Sequence, residues 1–179
     1  MTLIEAKILL ERNRIPYHTA QYENEGEYWH HCMPFSRGEG AKSRPVVALV
    51  IPSVNGVKDI ELQFIRRRGE YEFHDLWFGS YDFEMFGYRE DCLEADILET
   101  IGQIVDGKLA VIECCDLKKK RRRGDACFDL TDDDNVFGSS GFREAVEKIE
   151  RPKTFWQKLT GQKRQYEIYD WRTYRQIVK

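Results

Sequence analysis

The stretch that decides the fold is VVALVIPSVNGVKDIELQFIRRRGEYEFHDLWFGSYDFEMFGY, residues 46–88. It contains three strand-like runs separated by two turn signals, Asn55-Gly56 and Arg68-Gly69. Asn-Gly between apolar runs is a strong hairpin signal, because both residues accept the positive φ that a tight turn requires. We therefore predict an antiparallel meander over 46–78, against which the other elements pack.

Each run of this meander has its own side-chain pattern. Residues 46–51 are apolar at every position, which indicates a central strand covered on both faces. Residues 60–65 alternate apolar and polar side chains, which predicts a strand with one wetter face. Within 71–78 the apolar positions change parity, and a β-bulge near His74-Asp75 would reconcile the two halves. Bulges often redirect side chains beside functional sites.

Helical segments lie on both sides of the meander. The first begins with a capping box, in which Thr2 and Glu5 satisfy free N–H groups of the first turn. The predicted helices are residues 2–13, one or two turns within 23–35, residues 90–105, and a segment from Ser139 or Ser140 to near Glu150.

Four further segments are predicted to be strands: a short edge strand at 17–22, a buried strand at 109–117, a shorter one at 126–130 and a terminal strand at 166–178. The fold class that follows is α+β. We expect a single layered domain over 1–179. Its sheet is mainly antiparallel or mixed, is built on the 46–78 meander, and has two or three helices packed on it.

Composition excludes several classes of protein. The 179 residues are 41% hydrophobic and 33% charged with a net charge of −3, which is typical of neither a disordered nor a membrane protein. No apolar run is long enough to span a bilayer, and the N-terminus lacks the features of a secretory signal. Five cysteines, including adjacent Cys114 and Cys115, suit a reducing compartment. We predict a cytoplasmic protein.

Several motif-like stretches lack the spacing that their chemistry needs. Loop 38–43, GEGAKS, has Ala41 where a Walker loop needs Gly next to Lys. His30, His31 and Cys32 are adjacent, so their side chains diverge, and the acids of 125–134 lack the calcium-loop order. Cys127 follows a basic run that would lower a thiol pKa, but no nucleophile motif accompanies it. The sequence therefore predicts no catalytic set, no metal site and no cofactor.

The aromatic density after the third run is the strongest functional signal. Eight aromatic residues lie between Tyr71 and Tyr88, and they alternate with acids beyond the last regular strand. Rings beside carboxylates on a rigid sheet suit recognition of a protein or a basic ligand, while an apolar plug at the sheet end is the structural alternative. The predicted binding residues are Trp77, Tyr81, Asp82, Phe83 and Glu84, with Trp29 and His30 from the segment 23–35.

Our leading hypothesis is thus a non-enzymatic protein-binding or regulatory module. It requires at least one of Trp77, Tyr81 and Phe83 to be at the surface. Two alternatives stay open. One is a metal-dependent hydrolase that uses His30, His31, His74 and nearby acids. The other is nucleic-acid binding through the run KKKRRR, 118–123, which we expect in a solvated hairpin, with the basic segment 151–165.

Overall fold

The computed structural model describes residues 1–32, 43–83, 92–117, 121–130, 140–149 and 164–178. The chain divides into two compact units, Met1–Gly102 and Gln103–Lys179. The described residues form four helices and nine strands in two antiparallel sheets, so the α+β prediction is confirmed. A single domain over 1–179 stays a prediction.

The sheet of the first unit has the order β1-β2-β3-β4-β5, and every neighbouring pair is antiparallel. The predicted meander is therefore confirmed, and β1 is an edge strand as expected. The strands are β1 (His18–Tyr22), β2 (Val46–Ile51), β3 (Ile60–Arg67), β4 (Glu70–Phe78) and β5 (Tyr81–Asp82).

Both predicted turns lie where the chain reverses, but the first belongs to an eight-residue connection, 52–59, and is not a tight hairpin, since Gly56 has a positive φ and Asn55 does not. The Asn55 side-chain oxygen accepts hydrogen bonds from the backbone N–H groups of Val57 and Lys58, at 2.8 and 2.9 Å, and Gly56 has a φ of 69°. Between β3 and β4 the two turn residues, Arg68 and Gly69, both have positive φ. Such a pair is compatible with a tight hairpin turn that matches the twist of the strands.

The predicted bulge is present in β4. Phe64 pairs with Phe73 and Gln63 pairs with Asp75, so His74 is an extra residue on β4. The pairing beyond the bulge places Trp77 opposite Glu61, on one face of the sheet. We call this the α2 face, because a helix covers it.

Two helices of this unit agree with the sequence signals. Helix α1 (Leu3–Arg12) begins with the predicted capping box: the Thr2 hydroxyl accepts from the Glu5 N–H, and the Glu5 carboxylate accepts from the Thr2 N–H. Helix α2 (Glu25–Cys32) packs its buried Tyr28 and Cys32 on the α2 face. The strand residues in that apolar cluster are Val46, Ala48, Val50, Ile65 and Trp77. A third helix, α3, spans Leu93–Val105.

The sheet of the second unit has the order β7-β6-β8-β9, again antiparallel throughout. Helix α4 (Ser140–Ile149) covers one face through Ala145, which packs among Ile112, Phe128 and Ile168. The Tyr169 hydroxyl donates a short hydrogen bond to the buried Glu113. The strands are β6 (Leu109–Asp116), β7 (Arg121–Asp129), β8 (Arg164–Tyr169) and β9 (Tyr174–Val178).

The prediction of one strand over 166–178 is wrong, because a turn divides this segment into β8 and β9. The Asp170 carboxylate accepts hydrogen bonds from the backbone N–H groups of Arg172 and Thr173, at 2.6 and 2.8 Å, and from the Thr173 hydroxyl at 2.6 Å. An aspartate side chain can close a turn in this way without glycine or proline.

The basic run 118–123 was expected in a solvated hairpin, and its described part begins the second strand of the antiparallel β6–β7 pair, where Arg123 is exposed. Arg121–Arg123 begin β7, whereas residues 118–120 lie outside the described residues. The side chain of Arg123 lies 3.0 Å from the buried carboxylate of Asp116, and that of Arg122 lies 2.8 Å from Asp125. These acids stabilise arginines within a strand.

Candidate functional site

The α2 face contains several buried polar side chains. Glu61 and Gln63 on β3 are 6% and 1% exposed, and Asp75 on β4 is 2% exposed. Burial of polar groups away from water is unfavourable unless partners compensate it. The predicted wetter face of β3 is therefore wrong, since α2 covers these residues. We call Glu61, Gln63 and Asp75, with Glu25 of α2, the polar layer.

His31 of α2 connects Glu61 of the polar layer to solvent. The His31 Nε2 atom lies 2.9 Å from the Glu61 Oε1 atom, and the His31 side chain is 52% exposed whereas that of Glu61 is 7% exposed. The hydrogen bond to Glu61 raises the pKa of His31, although partial burial opposes this shift. The shift favours the protonated imidazole, which is the form that compensates the buried carboxylate.

Cys32 adjoins the same carboxylate, with its Sγ atom 4.0 Å from Glu61 Oε2. Burial and the negative charge of Glu61 raise the pKa of the Cys32 thiol. In the second unit burial also raises the pKa of Cys127, to about 12, and that of Cys115, to about 11. At Cys127 burial therefore outweighs any lowering by the preceding basic run, and the raised pKa values disfavour the thiolate form of all three cysteines.

An ion pair anchors the other end of α2. The Arg44 Nε atom lies 2.5 Å from the Oε1 atom of Glu25, whose side chain is only 8% exposed. His74, the extra residue of the bulge, is half-buried, and burial followed by the charge of Arg67 lowers its pKa. His31 and His74 thus shift in opposite directions because one has a carboxylate partner and the other is chiefly desolvated.

Aromatic rings link α2 to β4 across the polar layer. Trp77 is 3% exposed and its ring lies 6.5 Å from that of Trp29 and 6.3 Å from that of Tyr28, both in edge-on arrangements. Its Nε1 atom donates to Gln63 Oε1 at 3.3 Å. Of the predicted binding residues, Trp77 therefore contributes to the core, and Trp29 lies half-buried beside it.

Tyr81 and Phe83 form a separate cluster, which we call the ring pair. Their centroids are 5.0 Å apart with an interplanar angle of 80°, and both side chains are half-buried. The Phe83 N–H donates to the Leu76 carbonyl at 3.0 Å, which extends the backbone hydrogen bonding beyond β5. Edge-to-face geometry is favourable for aromatic pairs. The two rings thus keep part of their surface in solvent on an ordered backbone.

The remaining predicted binding residues are Asp82, His30 and Glu84. Asp82 is half-buried and pairs with Trp77 across β4 and β5, on the α2 face, whereas Tyr81 pairs with Phe78 on the opposite face. His30 is exposed on α2. Glu84 lies outside the described residues.

Glu61 and Gln63 were missed as site residues because alternation along β3 assigned them to solvent. A signal was present in retrospect: Trp77 follows the bulge at a position that faces Glu61 once His74 is counted as extra. Among the described residues no group of three His, Cys, Asp or Glu side chains could hold a metal ion. None of the helices in the same residues is long and apolar enough to cross a membrane.

These features define an α+β protein in which a short helix covers a polar layer on a five-stranded meander, with a second four-stranded sheet in the C-terminal unit. No protein-family model, curated protein or solved structure matches the chain.

Proposed function

We propose that this protein is a cytoplasmic, non-enzymatic module that binds another protein through the ring pair and the adjacent Asp82. The observation that carries the proposal is the edge-to-face contact of the half-buried Tyr81 and Phe83 at the edge strand β5. Tyrosine and phenylalanine have few rotatable bonds, so a partner gains contact area at little entropic cost when it covers them.

The position of the ring pair favours a defined binding surface. Tyr81 is held in β5 by pairing with Phe78, and Phe83 is held by its backbone bond to Leu76. Binding residues on rigid elements lose little freedom on association, so more of the contact energy is retained as affinity. The ring pair therefore has the preorganisation expected of an interface anchor.

The charge next to the rings favours a basic partner. Asp82 lies between the two rings in sequence and on the α2 face with Trp29. Because β5 is the edge strand of the sheet, a partner that covers this edge can contact the rings on one face and the carboxylate on the other. A partner with lysine or arginine beside an apolar side chain would match the carboxylate and the rings, and charge complementarity would accelerate its association.

The properties of the Cys32 thiol support a non-enzymatic function. Cys32 lies beside Glu61 in the polar layer, and its raised thiol pKa disfavours the thiolate that nucleophilic catalysis requires. The His31 imidazole is engaged with the same carboxylate. In this reading His31, Cys32 and Glu61 stabilise the attachment of α2 to the sheet.

The test is crosslinking capture of partners by the full chain in lysate of source cells, with quantitative mass spectrometry. We expect Tyr81→Ala and Phe83→Ala to reduce recovery of the main partners at least tenfold while the circular dichroism spectrum stays unchanged. The matched control is Tyr71→Ala, which removes another half-buried ring from β4. Equal recovery by wild type and both ring-pair variants would overturn the proposal.

A further inference from the structure

The outer edge of β1 differs from the other sheet edges in the described part of the chain. It belongs to a five-residue strand whose register against β2 is continuous, and no described strand pairs with its outer side. Open edges favour pairing with another strand, and proteins usually protect them with charged residues, bulges, proline or short length. An edge strand without any of these features is therefore a candidate for pairing with another strand.

The other three edges each have a protective feature. β5 has only two residues. β7 contains the arginine run and pairs with β6 through an irregular register. β9 carries an exposed arginine, Arg175. In contrast β1 reads His-Thr-Ala-Gln-Tyr, without Lys, Arg, Asp, Glu, proline or a bulge.

The segments that precede and follow β1 in the sequence carry charges of opposite sign. Arg12 and Arg14 precede the strand and are exposed, whereas Glu23 and Glu27 follow it and are exposed. Glu11 also precedes the strand and accepts a hydrogen bond from the Tyr17 hydroxyl at 2.9 Å, so residues 11–14 contribute two arginines against one glutamate, a net charge of +1. The strand is thus uncharged itself and lies between a basic approach and an acidic exit.

Two copies of β1 in antiparallel orientation would bring these opposite charges together. When two copies of β1 run in opposite directions, the basic approach of each lies near the acidic exit of the other. Opposite charges in such an arrangement attract over distances up to about 8–10 Å at moderate salt. A parallel pair would instead bring like charges together.

We propose that β1 is a self-association edge, on which a second copy of this chain pairs antiparallel with Ala20 opposite Ala20. This register pairs all five residues of the strand in both copies. It joins two five-stranded sheets into one continuous sheet across a two-fold axis, which is the commonest symmetry of homodimers. The interface uses main-chain hydrogen bonds, as in other cases of strand addition.

The register makes a specific prediction about side chains. It places Thr19 of one copy directly opposite Gln21 of the other, twice in the dimer. Both side chains are exposed and lie on the same face of the sheet. Directly opposed side chains in antiparallel strands interact, so charges introduced at these two positions attract or repel according to their signs.

The experiment measures the monomer–dimer equilibrium of the full chain by sedimentation equilibrium from micromolar to millimolar concentration. We expect the wild type to dimerise in this range. The variant Thr19→Lys with Gln21→Lys opposes lysines in both pairs and should raise the dissociation constant at least tenfold. Thr19→Glu with Gln21→Lys opposes unlike charges and should dimerise at least as tightly as the wild type.

The matched control adds the same two positive charges elsewhere, as Gln176→Lys with Val178→Lys at exposed positions of β9. It should leave the dissociation constant within twofold of the wild-type value, and so should Tyr81→Ala, which belongs to the proposed binding surface. A wild type that stays monomeric at millimolar concentration overturns the inference. Equal effects of the like-charge and unlike-charge variants also overturn it.

Discussion

The imidazole of His31 and the carboxylate of Glu61 connect the last turn of α2 to the centre of the first sheet. Their side chains meet at 2.9 Å although one is mostly in solvent and the other is almost fully buried. Removal of His31 would leave the buried Glu61 carboxylate without a cationic neighbour, which is strongly unfavourable. Removal of Glu61 would take away the group that raises the pKa of His31. This pair therefore links the attachment of α2 to pH.

We expect stability to decrease as the pH rises through the pKa of folded His31. Its pKa is raised above the ordinary value of 6.5, so the folded state holds a proton that the unfolded state releases first. The contribution is complete below about pH 6.5 and disappears above the folded pKa. Urea unfolding of wild type and Glu61→Gln across this range should show a difference that shrinks with rising pH.

Two-dimensional NMR titration gives a direct check of the same pair. The Glu61→Gln variant should lower the pKa of His31, while the depressed pKa of His74, which depends chiefly on burial, should stay as in the wild type. An unchanged His31 pKa in this variant would show that the carboxylate is not the source of the shift.

Two helical glycines should respond oppositely to alanine. A Cβ at Gly102 in α3 would meet nothing within 4 Å, so Gly102→Ala should stabilise the protein by about 0.5–1 kcal/mol through helix propensity. A Cβ at Gly141 in α4 would lie 3.1 Å from the Asp129 carbonyl oxygen and 3.2 Å from the Phe128 Cβ atom. Gly141→Ala should destabilise by about 1–3 kcal/mol through overpacking. Urea denaturation of both variants measures these values, and a stabilised Gly141→Ala would contradict the close approach of α4 to β7.

Tyr169→Phe should destabilise the protein by about 1–3 kcal/mol, because it removes a hydroxyl donor from the buried carboxylate of Glu113. Guanidinium denaturation monitored by circular dichroism measures the loss. The comparison variant is Tyr71→Phe, where the ring is half-buried and the change should be smaller. Equal losses in both variants would argue against a specific role for the Tyr169 hydroxyl.

Thiol labelling should separate the five cysteines by exposure. Cys92 is exposed, whereas Cys32, Cys114 and Cys115 are buried. We expect maleimide to modify Cys92 first in the native protein, and the buried thiols at least a hundredfold more slowly, as peptide mass spectrometry would measure. Addition of denaturant should equalise the rates. Rapid native labelling of Cys32 would contradict its burial between α2 and the sheet.

Local chemistry made much of the first sheet predictable. The capping box of Thr2, the turn at Asn55-Gly56 and the bulge at His74 each depend on residues close in sequence, and each is present in the structure. The division of β8 from β9 was missed because its turn uses the Asp170 side chain rather than glycine or proline. Sequence patterns for turns rest mainly on backbone preferences.

The candidate site was harder to predict because burial there depends on tertiary packing. Glu61 alternates with apolar neighbours and so resembles a solvent-facing residue, yet α2 covers it. Tryptophan is common in binding sites, but Trp77 packs in the core, whereas Tyr81 and Phe83 are partly exposed to solvent. Nothing within β3 or β4 indicates which face a separate helix will cover.

The single extra residue in β4, His74, determines which face of the sheet each later side chain of β4 and β5 occupies. Without His74, alternation would exchange the sides on which Trp77 and Phe78 project, and β5 would carry its tyrosine and aspartate on reversed faces. Loss of one amino acid there would consequently turn the tryptophan away from α2 and bring the phenylalanine beneath that helix. We therefore expect β4 to tolerate substitution of His74 better than its deletion, because only deletion exchanges the residues on both faces.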